Sequence, residues 1–122
     1  MPDILIVDDE HEILYILERF LKKSGFNVIT ADSGEKAVKI MSRGKNVDLI
    51  ILDHRMPKLD GAGVLDALKT LKVKTPVVLL TGSISKDTKK LDVDAFFMKP
   101  VDLHVMLDKI RELLSGERPE RV

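Results

Sequence analysis

Apolar residues along this chain gather in short unbroken runs: Ile4-Leu5-Ile6-Val7, Leu49-Ile50-Ile51-Leu52, Val77-Val78-Leu79-Leu80 and Ala95-Phe96-Phe97-Met98. None alternates polar with apolar. Continuous runs of this length suit strands covered on both faces, as in a parallel sheet with helices packed above and below. Asn27-Val28-Ile29-Thr30 is more polar and predicts an edge strand. Helical spacing fills the intervals. Ile13, Leu14, Leu17, Phe20 and Leu21 form one stripe, stopped by Ser24-Gly25. Ala37, Val38, Ile40 and Met41 form a second between a Ser33 cap and Gly44, and Val64, Leu65, Leu68 and Leu71 a third after Asp60-Gly61. Leu103, Met106, Leu107, Ile110, Leu113 and Leu114 form the last, with Asp102 as N-cap and Gly116 as terminator.

Strand and helix alternate along the chain, which predicts an α/β fold with a five-stranded parallel sheet and right-handed crossovers. Residues 82–93 break the pattern. They offer only Ile84, Leu91 and Val93 as apolar anchors, so the fourth helix is expected to be short and loosely held. Residues 1–116 are expected to form the folded domain, and 117–122, charged and interrupted by Pro119, a frayed tail or linker stub.

A chain of 122 residues accommodates one domain with one contiguous core system. Twenty Lys and Arg balance twenty Asp and Glu, so no bulk field draws the chain to nucleic acid or anionic lipid. Direct nucleic-acid binding and membrane association are therefore not expected. Cysteine is absent, which removes disulfides, thiolate catalysis and Cys-ligated metal sites. The N-terminus enters its first apolar run without a basic region or long hydrophobic stretch, and a cytoplasmic location is the expectation.

Chemistry concentrates just after the apolar runs: Asp8-Asp9, Asp53, Thr81 and Lys99-Pro100. In open α/β sheets, sites form outside the carboxyl ends of the strands, where the winding reverses, and a five-stranded sheet of this kind commonly has the order 2-1-3-4-5. Strands 1 and 3 are then neighbours ~4.8 Å apart, bringing Asp9 near Asp53, with Lys99 two strands beyond. At ~4 Å and an effective dielectric near 20, each carboxylate pair costs roughly 4 kcal/mol. One ammonium cannot offset all of it. A divalent cation can, and an oxygen-only donor set favours Mg²⁺. A carboxylate beside such a cation and a lysine is suited to act as a nucleophile toward a phosphoryl group.

These residues together resemble the receiver domain of two-component response regulators, over almost the whole chain from Ile4 to Leu114. The resemblance rests on Asp8-Asp9, on Asp53-His-Arg-Met-Pro-Lys-Leu-Asp-Gly61, on Thr81 and on Lys99-Pro100. It implies a flavodoxin-like (βα)5 fold and a signalling phosphoacceptor that catalyses only its own phosphoryl transfer and dephosphorylation. Asp53 would receive the phosphoryl group from a histidine kinase or phosphotransfer protein. Asp8, Asp9, Asp53 and the backbone carbonyl of Arg55 would hold Mg²⁺, and Lys99 the phosphoryl oxygens. Thr81 and Phe96 would be the switch pair, the Lys99-Pro100 bond would be cis, and an effector would read the result. Gly82, Asp92-Val93 and the short stretch between Thr81 and Lys99 depart from the family pattern.

Other readings are less economical. Asp8, Asp9 and Glu10 alone would suit a helix N-terminus. An Asp-nucleophile phosphatase of the haloacid dehalogenase type would carry Asp-x-Asp after its first strand and needs a cap domain. A flavodoxin-like cofactor binder would need hydroxyls and glycines in its first loop to cradle a phosphate, where Asp8 and Asp9 repel one. A degenerate receiver, acting as a phosphorylation-independent interaction module, would have little use for intact Asp8, Asp9, Asp53, Thr81 and Lys99. His11, His54 and His104 lack zinc-ligand spacing and are expected to be solvated or locally bonded, with His54 placed to modulate access to Asp53. Met41, Met98 and Met106 are expected to fill core gaps, and Phe97 to be core.

Overall fold

The structure is a computed structural model that describes residues 1–116; the expected tail lies outside the described residues. Strands β1 (Asp3–Val7), β2 (Asn27–Ala31), β3 (Leu49–Asp53), β4 (Val77–Thr81) and β5 (Ala95–Met98) alternate with helices α1 (His11–Lys23), α2 (Gly34–Ser42), α3 (Gly61–Thr70), α4 (Lys86–Lys89) and α5 (Leu103–Leu114). All pairings are parallel and the order is β2-β1-β3-β4-β5, the flavodoxin-like arrangement.

Unbroken apolar runs follow from burial on both faces. Alternate residues of the central strands feed two separate cores. Ile4, Ile6, Leu49, Ile51, Val78 and Leu80 meet Leu14, Leu17 and Leu21 of α1 and Met106, Ile110 and Leu113 of α5. Leu5, Val7, Ile50, Leu52, Val77 and Leu79 meet Ala37 and Met41 of α2 and Val64 and Leu68 of α3. Each fully buried aliphatic side chain contributes ~1.5–3 kcal/mol, and the sheet is the middle layer of that sandwich.

Helix boundaries obey local chemistry. Ser33, Asp60 and Asp102 accept backbone N–H groups at the starts of α2, α3 and α5. Gly25, Gly44 and Gly116, at φ +96°, +79° and +85°, turn the chain after α1, α2 and α5. The third stripe ends early. Leu71 is 41% exposed just past α3 because Lys72 takes φ 59° and Val73 packs on the α2/α3 core instead.

Helix α4 has only four residues. Ile84 is 39% exposed, whereas Leu91 and Val93 pack against the α2/α3 core. An anchor the apolar pattern does not reveal is Thr88, 1% exposed, which forms a reciprocal cap with Ser85. The sheet's outer edge is correspondingly less covered than its sequence predicts. No residue of β5 is fully buried, and Met98 is 51% exposed rather than filling the core. Met41 and Met106 are core as expected. No helix among the described residues is long and apolar enough to cross a membrane.

Candidate functional site

The carboxyl edge of the sheet collects the polar residues. Val7 pairs with Leu52, so the residues that follow, Asp8 and Asp53, leave adjacent strands at the same level. Asp8 is fully buried and Asp53 is 4% exposed. Asp9 is the least buried of the three, and one carboxylate oxygen from each of Asp8, Asp9 and Asp53 lies within 4.8 Å of the others. Asp8 Oδ1 accepts the Glu10 N–H at 2.9 Å, turning the side chain inward rather than onto α1, whose N-cap residue Glu10 makes no side-chain capping bond.

Lys99 follows β5, and its backbone N–H is tied to the Thr81 carbonyl at 2.8 Å. Its stem crosses β4, so that Nζ reaches Asp53 Oδ1 at 3.0 Å, Asp8 Oδ2 at 3.3 Å and Glu10 Oε1 at 3.7 Å. The Lys99-Pro100 peptide bond is cis.

Burial pushes the Asp53 carboxyl up to about 6, and the charges of Asp8 and Asp9 add to the rise against the opposing pull of Lys99. Burial alone would lower Lys99; its bond to Asp53 and the charge of Asp8 outweigh that, and it lies above its ordinary value. Three carboxylates against one ammonium leave an excess of negative charge. The donor set is oxygen only and tightly grouped, which fits a hard divalent cation such as Mg²⁺.

Close approach behind Asp53 depends on one glycine. A Cβ on Gly61 would stand 2.7 Å from the Asp53 carbonyl oxygen and 2.9 Å from His54 Cα. With hydrogen there instead, the Gly61 N–H bonds the His54 carbonyl at 2.8 Å and α3 begins against the strand end. The intervening loop holds Arg55, exposed, and Met56, buried in the α2/α3 core.

Thr81 ends β4, 2% exposed. Its hydroxyl donates to the Ser83 carbonyl at 2.9 Å, and His54 Nδ1 lies 3.2 Å from the Thr81 hydroxyl oxygen. Phe96 pairs in register with Leu79 and is partly buried against the α2/α3 core, while Phe97 packs on the α1/α5 core. The structure therefore groups Asp8, Asp9, Asp53 and Lys99, sets Thr81 beside His54, and leaves Phe96 on the neighbouring strand, two residues before Met98, the register partner of Thr81. Two participants lack a strong sequence signal. Glu10 reaches Lys99 from the start of α1, and Thr88 is marked only by its three-residue spacing from Ser85. The other histidines are locally bonded: His11 to Asp32 at 3.1 Å, and His104 edge-on to Phe20.

The response regulator receiver domain model matches residues 4–111. Alkaline phosphatase synthesis transcriptional regulatory protein PhoP of Bacillus subtilis is 36% identical over 115 residues, covering 91% of this chain and 48% of that protein. Transcriptional regulatory protein CpxR of Escherichia coli is 36% identical over 118 residues, covering 93% and 50%. The chain thus spans about half the length of the curated relatives it matches. Among solved structures, the Francisella response regulator 1452 receiver domain superposes with a TM-score of 0.88 at 25% identity, covering 96% of this chain and 99% of that one. Response regulator TrrA of Thermotoga maritima, solved in complex with Mg²⁺ and BeF, gives 0.83 at 31% identity, covering 93% and 99%.

Proposed function

Because the chain belongs to the receiver domains of two-component response regulators, we propose that it accepts a phosphoryl group on Asp53 in a Mg²⁺-dependent reaction. The supporting observation is the convergence of Asp8, Asp9, Asp53 and Lys99 at one sheet edge, with Asp53 buried and at 3.0 Å from Nζ. Asp8, Asp9, Asp53 and the Arg55 carbonyl would hold Mg²⁺, which would supply positive charge to neutralise the phosphoryl oxygens. An Asp53 carboxylate oxygen attacks the phosphorus of a phosphohistidine; the O–P bond forms as the P–N bond to the donor imidazole breaks. Lys99 pairs with the phosphoryl oxygens, and Thr81 turns its hydroxyl to one of them. Later attack by water returns the carboxylate and releases phosphate. The chain is accordingly a signalling phosphoacceptor that acts on itself, and not an enzyme that turns over a separate substrate.

Thr81 and Phe96 form the proposed switch: withdrawal of the Thr81 side chain leaves space toward which Phe96 turns. Residues 1–116 are assigned to the receiver domain, working in the cytoplasm. The partners are a sensor histidine kinase or phosphotransfer protein, and an effector. Tyr15 and Ile16 on α1, 49% and 48% exposed, and Val105 on α5, 53% exposed, offer apolar surface for such contacts. The even charge balance supports assigning no direct nucleic-acid contact to these residues.

Acetyl phosphate with Mg²⁺ tests the reading. One phosphoryl mass should appear on Asp53 and be lost in Asp53→Asn or in excess chelator. Labelling that survives either change refutes it.

A further inference from the structure

His54 directly follows Asp53 and has little backbone freedom. Its N–H bonds the Leu80 carbonyl at 2.9 Å and its carbonyl accepts from Gly61 at 2.8 Å, so the ring is aimed from a pinned main chain. That ring meets the Thr81 hydroxyl. A threonine hydroxyl has one proton to give and two lone pairs to offer. All are used: the proton goes to the Ser83 carbonyl at 2.9 Å, while the Ser83 N–H, at 3.4 Å, and His54 Nδ1, at 3.2 Å, meet the oxygen. The Ser83 carbonyl can only accept, so with the hydroxyl proton placed on it the His54 contact is a hydrogen bond with Nδ1 as donor. That arrangement puts the ring proton on Nδ1 and leaves Thr81 none for an oxygen on Asp53.

We propose that His54 is a positioning residue that holds Thr81 in its resting arrangement, so that Thr81 can serve a group on Asp53 only after the Nδ1–H···Oγ1 bond is given up. The inference rests on the phosphoacceptor reading of Asp53. It adds a restraint that opposes activation, supplied by the residue next to the acceptor. The effect extends beyond Thr81. Thr88 also donates to the Ser83 carbonyl, at 3.4 Å, so release of Thr81 changes the acceptor that ties the β4–α4 loop to α4.

One neutral hydrogen bond is worth a shift of about two- to tenfold in a two-state equilibrium. Asparagine at this position can offer an amide N–H near the place of Nδ1, whereas leucine offers none. Beryllofluoride with Mg²⁺, a phosphoryl mimic, should bind His54→Leu about two- to tenfold more tightly than the parent chain, and His54→Asn nearly as the parent does. Affinity for Mg²⁺ alone should be the same in all three. Equal beryllofluoride affinity in His54→Leu and the parent, or His54→Asn behaving as His54→Leu does, overturns the inference while leaving the Asp53 reading intact. A parent chain that binds no beryllofluoride sinks that reading instead. The latch is then decided on ligand-free protein by the Thr81 χ1 angle from NMR couplings. A single rotamer in the parent and His54→Asn, averaged in His54→Leu, supports it; identical couplings in all three refute it.

Discussion

Replacing Asp53 with asparagine should make the metal-free protein more stable at neutral pH. The folded chain holds the Asp53 proton more tightly than the unfolded chain does, with the carboxyl raised from 3.8 to about 6 by burial and by Asp8 and Asp9. Below the unfolded value both states are protonated and the group contributes nothing to the difference. As pH rises through that interval the unfolded chain ionises first, and stability is lost until the folded carboxyl ionises too. At ~1.36 kcal/mol per unit, the loss is about 1 kcal/mol near pH 4.5 and about 3 kcal/mol near pH 7.5. Asparagine has the same outline, no charge to desolvate, and an amide oxygen that still accepts from Lys99.

Urea unfolding of the two chains in excess chelator measures this directly. Asp53→Asn should exceed the parent by up to about 3 kcal/mol near pH 7.5, and the gap should narrow toward about 1 kcal/mol near pH 4.5. Added Mg²⁺ should stabilise the parent by mass action and stabilise Asp53→Asn less, since one proposed charged ligand is gone, so the gap should shrink. A variant no more stable than the parent near neutral pH in chelator, or a gap that ignores pH, would show that Asp53 is not held against its own charge.

Lys99→Met should push the Asp53 carboxyl further up, because the ammonium that opposes the rise is removed; an NMR titration of the Asp53 carboxyl reads the direction, and no movement refutes the pairing. The same change should cost about 3 kcal/mol at neutral pH, as for one partner of a buried ion pair. Gly61→Ala puts a methyl 2.7 Å from a backbone oxygen and 2.9 Å from His54 Cα, so it should cost ~1–3 kcal/mol and slow acetyl phosphate labelling; full stability would mean that α3 can retreat from the strand end. Thr88→Val keeps the shape but removes the hydroxyl shared with Ser83 and Ser85. It should cost about 1–2 kcal/mol and speed amide exchange across residues 84–91 while leaving α5 unchanged.

Most of the fold is legible in the sequence because burial on both faces leaves a direct mark. Where two cores share a strand, every position is apolar, and Leu49 to Leu52 and Val77 to Leu80 read as such without alternation. Caps at Ser33, Asp60 and Asp102 are legible because the donors they satisfy lie within three residues of them. Less legible is whatever depends on a distant element. Ala95 to Met98 reads as a strand covered on both faces, yet its exposure is set by a four-residue α4 that leaves the outer edge open. Leu71 fits a helical stripe, but the turn at Lys72 takes it out. Thr88 is buried through hydroxyl bonds to Ser83 and Ser85, a role hydropathy does not encode. The site itself is legible as a set of strand-end residues; the contact between His54 and Thr81 is not, since it joins a rotamer just past β3 to one at the end of β4.

The cores also explain how so crowded a set of carboxylates is maintained. Asp8 and Asp53 are close because β1 and β3 pair with Val7 opposite Leu52. Sliding β3 by one residue would separate them, but it would also turn every β3 side chain to the other face of the sheet. Ile50 and Leu52 would enter the α1/α5 core while Leu49 and Ile51 entered the α2/α3 core, against partners shaped for the opposite set. Misfitting those four side chains, at ~1–3 kcal/mol for each, outweighs the ~3 kcal/mol that ionised Asp53 costs at neutral pH. The register is therefore fixed by packing, and electrostatic relief cannot come from strand movement. It has to come from outside the sheet, by proton uptake on Asp53, by a cation among the three carboxylates, or by a changed arrangement of Lys99.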